Sequence, residues 1–600
     1  MSDGSKEIAE VRAVFERGRQ LEEEDPSEAL VLFARSAALA PNWAAPVVAL
    51  GDLFRSQGRA QEALVAYGRA AELTSNDAAI FIKRGNLLSD ARDFDGAVED
   101  YERAAQLQPD WHLPYLNLGN AHAAQDQLAE ARAAYNRALE AGGPAGIALR
   151  RDLLLPVIPR SRDAYAAAHA AFAAALARIA HAPPVVDNPL AETPASRFFL
   201  AYHGSGDREL QERLAALYLA SCPSLAWTSP HCEEDARASG PRRIALVCRF
   251  LFDHSIGRLL HGLLRRLAAG SNCEVTIFES AAAPDDAVRR EIDAAVAGRV
   301  VLPRELNAAR SCIAKFQADV AFFPEVGMDP MTYFLAFARL APVQAVTWGH
   351  PVTTGVPNMD YFLSCDDAEP ADSNDADEQY SETLVRLDGY PFSYPRPPVP
   401  NPAGARADFA LPEDATIYFL AQNLFKIHPD MDAALRRILD GDRKGRLVLL
   451  EGHDPRWGQA VRERFAETLR DTTSRVVFLE RQSHDDYMRL LTLSDVVLDS
   501  YPFSGGNTTY QAIAMGVPVV TCPGRYLRGR FSVATFVRMG MSELVAGDMA
   551  EFADIALRLG TDDEYRRDIR NRLAQTSDAI FDDPVYLAEM ERFLMTAAPR

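Results

Sequence analysis

The chain has 600 residues, 48% of them hydrophobic and 24% charged, an ordinary composition for a folded protein but more chain than one hydrophobic core organises, so three or four structural units are expected. Its 84 acidic and 63 basic side chains leave a net charge of -21, which excludes a general nucleic-acid surface, because such a surface needs clustered Lys and Arg. Seven scattered cysteines at no metal-ligand spacing and the lack of an apolar run as long as a membrane span point to reduced thiols, a cytoplasmic location and no membrane partner.

From about residue 10 to 141 the sequence repeats with a period of 34 residues. Gly51, Gly85 and Gly119 keep that period, as do Ala63, Ala97 and Ala131, and so do Tyr67, Tyr101 and Tyr135, each followed three positions on by Ala70, Ala104 and Ala138. This is the tetratricopeptide pattern of paired helices, in which small residues allow close helix contact and the aromatic ring fills the space between neighbours. A weaker copy precedes it, with Ala29 and Phe33 in register but Arg17 where glycine is expected, giving four repeats with an atypical first one. The repeats are read as a concave grip on a polypeptide, with a spacer or homodimer contact as the alternative.

Residues 144–181 keep a helical, Ala-rich pattern that Pro183-Pro184 breaks. The run from Arg197 through His203 to Gly206 leads into an amphipathic segment at 207–219, and His203 before glycine reads more as a turn or capping residue than as a catalyst. At Arg242 the pattern becomes strand, loop and helix in alternation, with strands expected at 244–248, 275–278, 319–323 and 343–348. Such a doubly wound sheet binds ligands at the carboxyl ends of its strands, where the loops carry His254, Glu325 with Asp329, and His350. A proline-dense crossing at 390–400 precedes a second alternation, with strands at 416–420, 447–450, 476–479 and 496–498, so a cleft is expected between two lobes. An amphipathic segment at 582–597 is expected to return across the first sheet.

The last strand opens into Asp499-Ser-Tyr-Pro-Phe-Ser-Gly-Gly-Asn-Thr-Thr-Tyr-Gln511. Gly505 and Gly506 let a backbone approach a ligand closely, while Asn507, Thr508 and Thr509 are expected to cap a helix and offer donors where its dipole favours an anion such as a diphosphate. A tight turn with an ordinary N-cap is the plainer alternative. Arg525, Arg528 and Arg530 follow, as phosphate partners or as a solvated basic face.

With these residues in place the chain resembles a known family. Leu340-Ala-Pro-Val-Gln-Ala-Val-Thr-Trp-Gly-His-Pro-Val-Thr-Thr354, Gln422-Asn-Leu-Phe-Lys-Ile427 and the Gly-Gly-Asn-Thr-Thr loop are similar to the O-GlcNAc transferase and SPINDLY-like family of GT-B glycosyltransferases, and also to bacterial cytoplasmic N-glucosyltransferases. The resemblance implies a multidomain fold: a tetratricopeptide solenoid at 1–142, a helical joint at 143–240, and two Rossmann-like α/β lobes at 241–398 and 399–600. It implies that Lys426 reaches the diphosphate of a nucleotide sugar, that Asn423 supports the same loop, and that His254 lies in the active site, with Glu325 and His350 as further candidates for the acceptor's proton. Gln511 stands where the family usually places a carboxylate on the ribose hydroxyls, and Tyr487 stands where O-GlcNAc transferases use a histidine, so an aromatic ring is available to stack on the base.

The expected activity is that of an inverting, metal-independent transferase moving a sugar, GlcNAc first, from a UDP-sugar to a protein side chain, with no cofactor. O-fucosyl and N-glucosyl transfer are variants of it. A tetratricopeptide scaffold that senses nucleotide sugar without turning it over, and a two-lobed epimerase, are the alternatives from other classes.

Overall fold

The computed structural model describes residues 3–193, 198–233, 240–270, 272–371, 373–390, 395–400, 404–581 and 583–599. Arg197, residues 391–394 of the proline-dense crossing and Asp582 therefore lie outside the described residues. The chain divides into two compact units, residues 1–154 and 155–600.

The first unit is a row of helix pairs: Asp3–Leu21 with Pro26–Leu39, Ala44–Ser56 with Ala60–Leu73, Ala78–Asp90 with Phe94–Leu107, and His112–Ala124 with Leu128–Glu140, followed by the short helix Ile147–Asp152. The 34-residue period is a packing rule: a Cβ on Gly51, Gly85 or Gly119 would come within 2.6, 2.7 or 2.4 Å of the ring of Tyr67, Tyr101 or Tyr135. Each of these rings is buried, and its hydroxyl donates back to the preceding helix, to Asp52, Asn86 or Asn120. The first repeat corrects the expectation of a missing glycine. Gly18, one place after Arg17, does the work, since its Cβ would lie 2.7 Å from Phe33.

The second unit holds two parallel sheets. The first has seven strands: β1 (Arg242–Val247), β2 (Cys273–Glu279), β3 (Gly298–Val301), β4 (Val320–Phe323), β5 (Val343–Thr347), β6 (Tyr361–Cys365) and β7 (Thr383–Leu387), in the order β3-β2-β1-β4-β5-β6-β7. The second has β8 (Thr416–Phe419), β9 (Gly445–Leu450), β10 (Val476–Leu479), β11 (Val496–Leu498) and β12 (Val519–Val520), in the order β10-β9-β8-β11-β12. Parallel strands covered on both faces are apolar throughout, and β4 and β5 are buried at every residue. In both sheets the strand order reverses between the first strand and the fourth, so the loops after β1 and β4, and after β8 and β11, open into crevices suited to a ligand.

The helix Pro584–Thr596 packs against the helix Ser255–Gly270 and β7 of the first sheet, as its amphipathic pattern predicts, and Trp348 Nε1 donates to Tyr586 Oη at 2.9 Å. The seven cysteines are free thiols. Among the described residues no helix is long and apolar enough to cross a membrane.

Candidate functional site

A cleft of about 570 Å³ is lined by strand-end loops of both sheets, a size that suits a small-molecule ligand. From the first sheet come His254 after β1, Met328 after β4 and Gly349-His350-Pro351 after β5. From the second come Gln422 to Lys426 after β8, Gly452 and His453 after β9, Arg481 to His484 after β10, and Phe503, Ser504 and Gly506 to Thr508 after β11.

The loop after β11 is shaped by a residue that the sequence reading quoted without a role. Asp499 is 1% exposed; its Oδ1 accepts the backbone N–H of Ser500 at 2.8 Å and of Gly505 at 2.6 Å, and its Oδ2 accepts from Thr521 at 2.8 Å. The carboxylate thus fixes both ends of the loop, and a buried polar side chain directly after a strand was the signal. Gly505 is glycine because a Cβ there would meet Thr508 Oγ1 at 2.4 Å and Gln422 Nε2 at 2.6 Å.

The cap expected from Asn507, Thr508 and Thr509 is not formed as such. The helix runs Asn507–Ala514 with Gly506 at the N-cap and no side-chain cap hydrogen bond. Thr508 Oγ1 instead accepts from Gln422 Nε2 at 2.6 Å, tying the β8 and β11 loops together, and Thr509 Oγ1 lies 2.7 Å from Ser532 Oγ. The helix start is left open toward the cleft, where backbone donors and the helix dipole favour an anion.

Lys426 ends a 3-10 turn, Leu424–Lys426, and its ammonium lies 4.4 Å from the Phe503 ring centroid and 3.4 Å from Ser504 O. It is open to the cleft and otherwise enclosed by protein. Burial pushes its pKa down to about 8, against the opposing pull of the Asp499 charge. Asn423 is the exposed residue before that turn, and its carbonyl accepts from Lys426 N at 2.9 Å.

His254 rests against Phe250, ring centroids 4.7 Å apart, and its Nδ1 accepts the Ile256 backbone N–H at 3.3 Å. In the neutral ring the proton is then on Nε2, which makes this face a donor. Burial lowers its pKa, with the Arg258 charge adding to the effect. His350 is 5% exposed and stacks on Phe198 at 5.5 Å, and burial, aided by Arg528, pushes it down to about 4, so it is neutral at neutral pH.

Glu325, Gly505 and Thr509 are buried behind the lining of this cleft. Glu325 is fully buried; Oε2 accepts from Met328 N at 2.8 Å, and burial, against that hydrogen bond, pushes the carboxyl up to about 8. It shapes the loop under His350: Gly349 packs on its Cβ, and Gly327, at φ +128, leaves room for the His350 ring. Tyr487 and Gln511 both line the cleft, Gln511 at 6% exposure.

Sequence reasoning missed the aromatic wall. The 3-10 segment Phe198–His203 sends Tyr202 onto Phe503 (4.6 Å, stacked) and Phe425 (4.7 Å), and Phe198 onto His350, so a segment placed in the joint bridges both lobes. His203 itself is buried with Nε2 3.2 Å from Pro156 O and does not line the cleft. None of the three arginines lines the cleft: Arg525 is exposed and pairs with Asp375, Arg528 is buried against Asp207, and Arg530 donates to Ala368 O.

Residues 398–590 match the model of glycosyl transferase family 41, and residues 51–90, 78–110 and 114–141 match tetratricopeptide repeat models. The second lobe is therefore similar to glycosyl transferase family 41. The chain is 31% identical over 242 residues to a barley protein described as a probable UDP-N-acetylglucosamine--peptide N-acetylglucosaminyltransferase SPINDLY, covering 40% of this chain and 25% of that one. It is 26% identical over 308 residues to a UDP-glucose:protein N-beta-glucosyltransferase of Actinobacillus pleuropneumoniae, covering 49% of this chain and 48% of that one. It thus spans about a quarter to a half of the length of these relatives. A variant of the Thermobaculum terrenum O-GlcNAc transferase shares the fold of this chain over 99% of both chains, with a TM-score of 0.54 and 21% identity.

Proposed function

We propose that the chain is an inverting protein glycosyltransferase that takes a sugar from a nucleoside diphosphate donor, UDP-GlcNAc first among candidates, and attaches it to a polypeptide side chain. One observation carries this reading: the Lys426 ammonium and the open start of the helix Asn507–Ala514 face the same cleft at the strand-order reversal of the second sheet. The acceptor oxygen or nitrogen attacks the anomeric carbon as the bond to the diphosphate oxygen breaks, and negative charge grows on the leaving group. Lys426 and the backbone donors of the Gly506–Asn507 turn stabilise that charge without requiring a metal.

In this reading Gly505, Thr508 and Thr509 hold the phosphate loop, Asn423 supports the Lys426 turn, and Tyr487 stacks on the base. Gln511 accepts from the ribose, His254 donates to substrate oxygens through Nε2, and Glu325 holds the loop beneath His350. Neutral His350 takes the acceptor's proton in this reading, and its basicity would rise beside a bound diphosphate. The polypeptide acceptor is supported by the tetratricopeptide repeats and by the names of the barley and Actinobacillus relatives, which differ in donor sugar.

The test is a mass-shift assay of the purified protein with a panel of UDP- and GDP-sugars and polypeptide acceptors, with and without EDTA. Transfer that survives chelation supports the reading, and transfer abolished by it overturns the metal-independent mechanism. Gln511 favours one other reading, a nucleotide-sugar sensor with slow turnover; transfer that is lost in Lys426→Ala would exclude it.

A further inference from the structure

Beside the donor cleft is a second cavity of about 260 Å³, and Pro351 lines both. Its inner wall is a built polar site. Arg528 is 4% exposed, lies with its guanidinium 4.4 Å from the Tyr526 ring centroid, donates from Nη2 to Ser205 O at 2.6 Å, and sits 3.0 Å from the carboxylate of Asp207, itself 2% exposed. No hydrogen bond from its Nε or Nη1 is made among the described residues, although this side chain lines the cavity. These donors are left free to meet a ligand in the cavity, and the planar fork of a guanidinium suits a carbonyl or carboxylate.

The charges on the walls indicate which acceptor that is. Arg208, Arg525 and Arg528 face four carboxylates, Asp375 and Glu378 among them, so the cavity has no excess of positive charge to attract a polyanion. A neutral chain that offers carbonyl acceptors and N–H donors in alternation matches such walls. The partition is thin: it is one residue at Pro351, and an extended polypeptide advances about 3.3 Å per residue. A chain that placed a side chain beside His350 would therefore bring its neighbouring residues to this cavity.

We propose that the second cavity is the subsite for the acceptor polypeptide flanking the modified residue, with Arg528 donating to a backbone carbonyl. This rests on the transferase reading above and adds the place where the acceptor is held.

The test starts from an immobilised array of synthetic peptides with Ser, Thr or Asn at the centre, glycosylated with the donor that the panel identifies. For the best peptide, KM is compared with the calorimetric donor Kd in the wild type, Arg528→Lys and Glu378→Trp, the second a bulky substitution at an exposed rim position that spares the fold. Peptide KM should rise about tenfold or more in both, as expected for losing one charge-assisted contact or blocking the cavity, while donor Kd stays unchanged. Unchanged peptide KM in both variants would overturn the inference. Donor hydrolysis without transfer to any peptide would also overturn it and leave the donor site standing, whereas loss of both activities would remove the transferase reading first.

Discussion

Lys426 and Phe503 meet over the strand-order reversal of the second sheet, the ammonium nitrogen 4.4 Å from the ring centroid and its hydrogen bond aimed at Ser504 O. A ring face and one carbonyl keep a lysine charged in partial burial but leave it short of partners, as its depressed pKa of about 8 records. A diphosphate would complete the set. Lys426→Ala should therefore lose on the order of ten- to a hundredfold in UDP affinity while the fold is retained, read by calorimetry. Because the folded pKa lies below the ordinary value of 10.5, the ligand-free protein should gain stability from this group as pH rises from about 8 to 10.5. For the same reason UDP binding at a pH just above 8 should take up a proton, visible as a dependence of the binding heat on buffer ionisation.

In the proposed donor site Gln511 would supply an amide where a carboxylate could accept from both ribose hydroxyls. The wild type should discriminate UDP from 2′-deoxy-UDP weakly, by about a single neutral hydrogen bond, and Gln511→Glu should widen the ratio by roughly three- to tenfold. Equal ratios in the two proteins, measured by competition, would show that Gln511 does not face the ribose.

Glu325 is buried and pushed up to about 8, while the unfolded chain ionises near the ordinary value of 4.5. Its contribution to stability is fully present below 4.5 and is lost as pH rises through about 8. Glu325→Gln keeps the shape and removes the titration, so its Tm should match the wild type at low pH and exceed it by a few degrees above pH 8. Thermal unfolding across that range checks the sign, and parallel curves would mean that the carboxyl is not buried in its neutral form.

In the repeats, Gly119→Ala should destabilise, although alanine favours helices, because the added Cβ would lie 2.4 Å from the Tyr135 ring. Overpacking of this kind typically costs about 1–3 kcal/mol. Calorimetric unfolding should show the loss, and UDP affinity should be unchanged.

The repeats and the strands bearing the cleft loops were legible because each has a local signature, a fixed period or a β-branched run before a polar loop. β3, β6, β7 and β12 are not apparent in the sequence: β3 and β7 are only part-buried, β12 has two residues, and β6 follows β5 without a helix that would announce a new unit. The Gly-Gly-Asn-Thr-Thr loop could be recognised from its glycines, but its anchoring by Asp499 and the Gln422 to Thr508 link, across 86 residues, are tertiary facts. Arg528 shows the limit most clearly. As one of three arginines in a row it read as phosphate partner or surface charge, and the burial that makes it informative depends on Asp207 in a distant segment.

The return of the helix Pro584–Thr596 to the first sheet bears on synthesis as well as packing. Trp348 waits for the hydroxyl of Tyr586, 238 residues further along the chain. On the ribosome, the first lobe would leave the exit tunnel with that face uncovered, and the whole second lobe would be made before its cover arrived. Shielding of that face during translation would then fall to the ribosome surface or to chaperones. Premature termination between β7 and the helix Pro584–Thr596 would yield a lobe with its strands complete and its apolar flank exposed, a substrate for quality control.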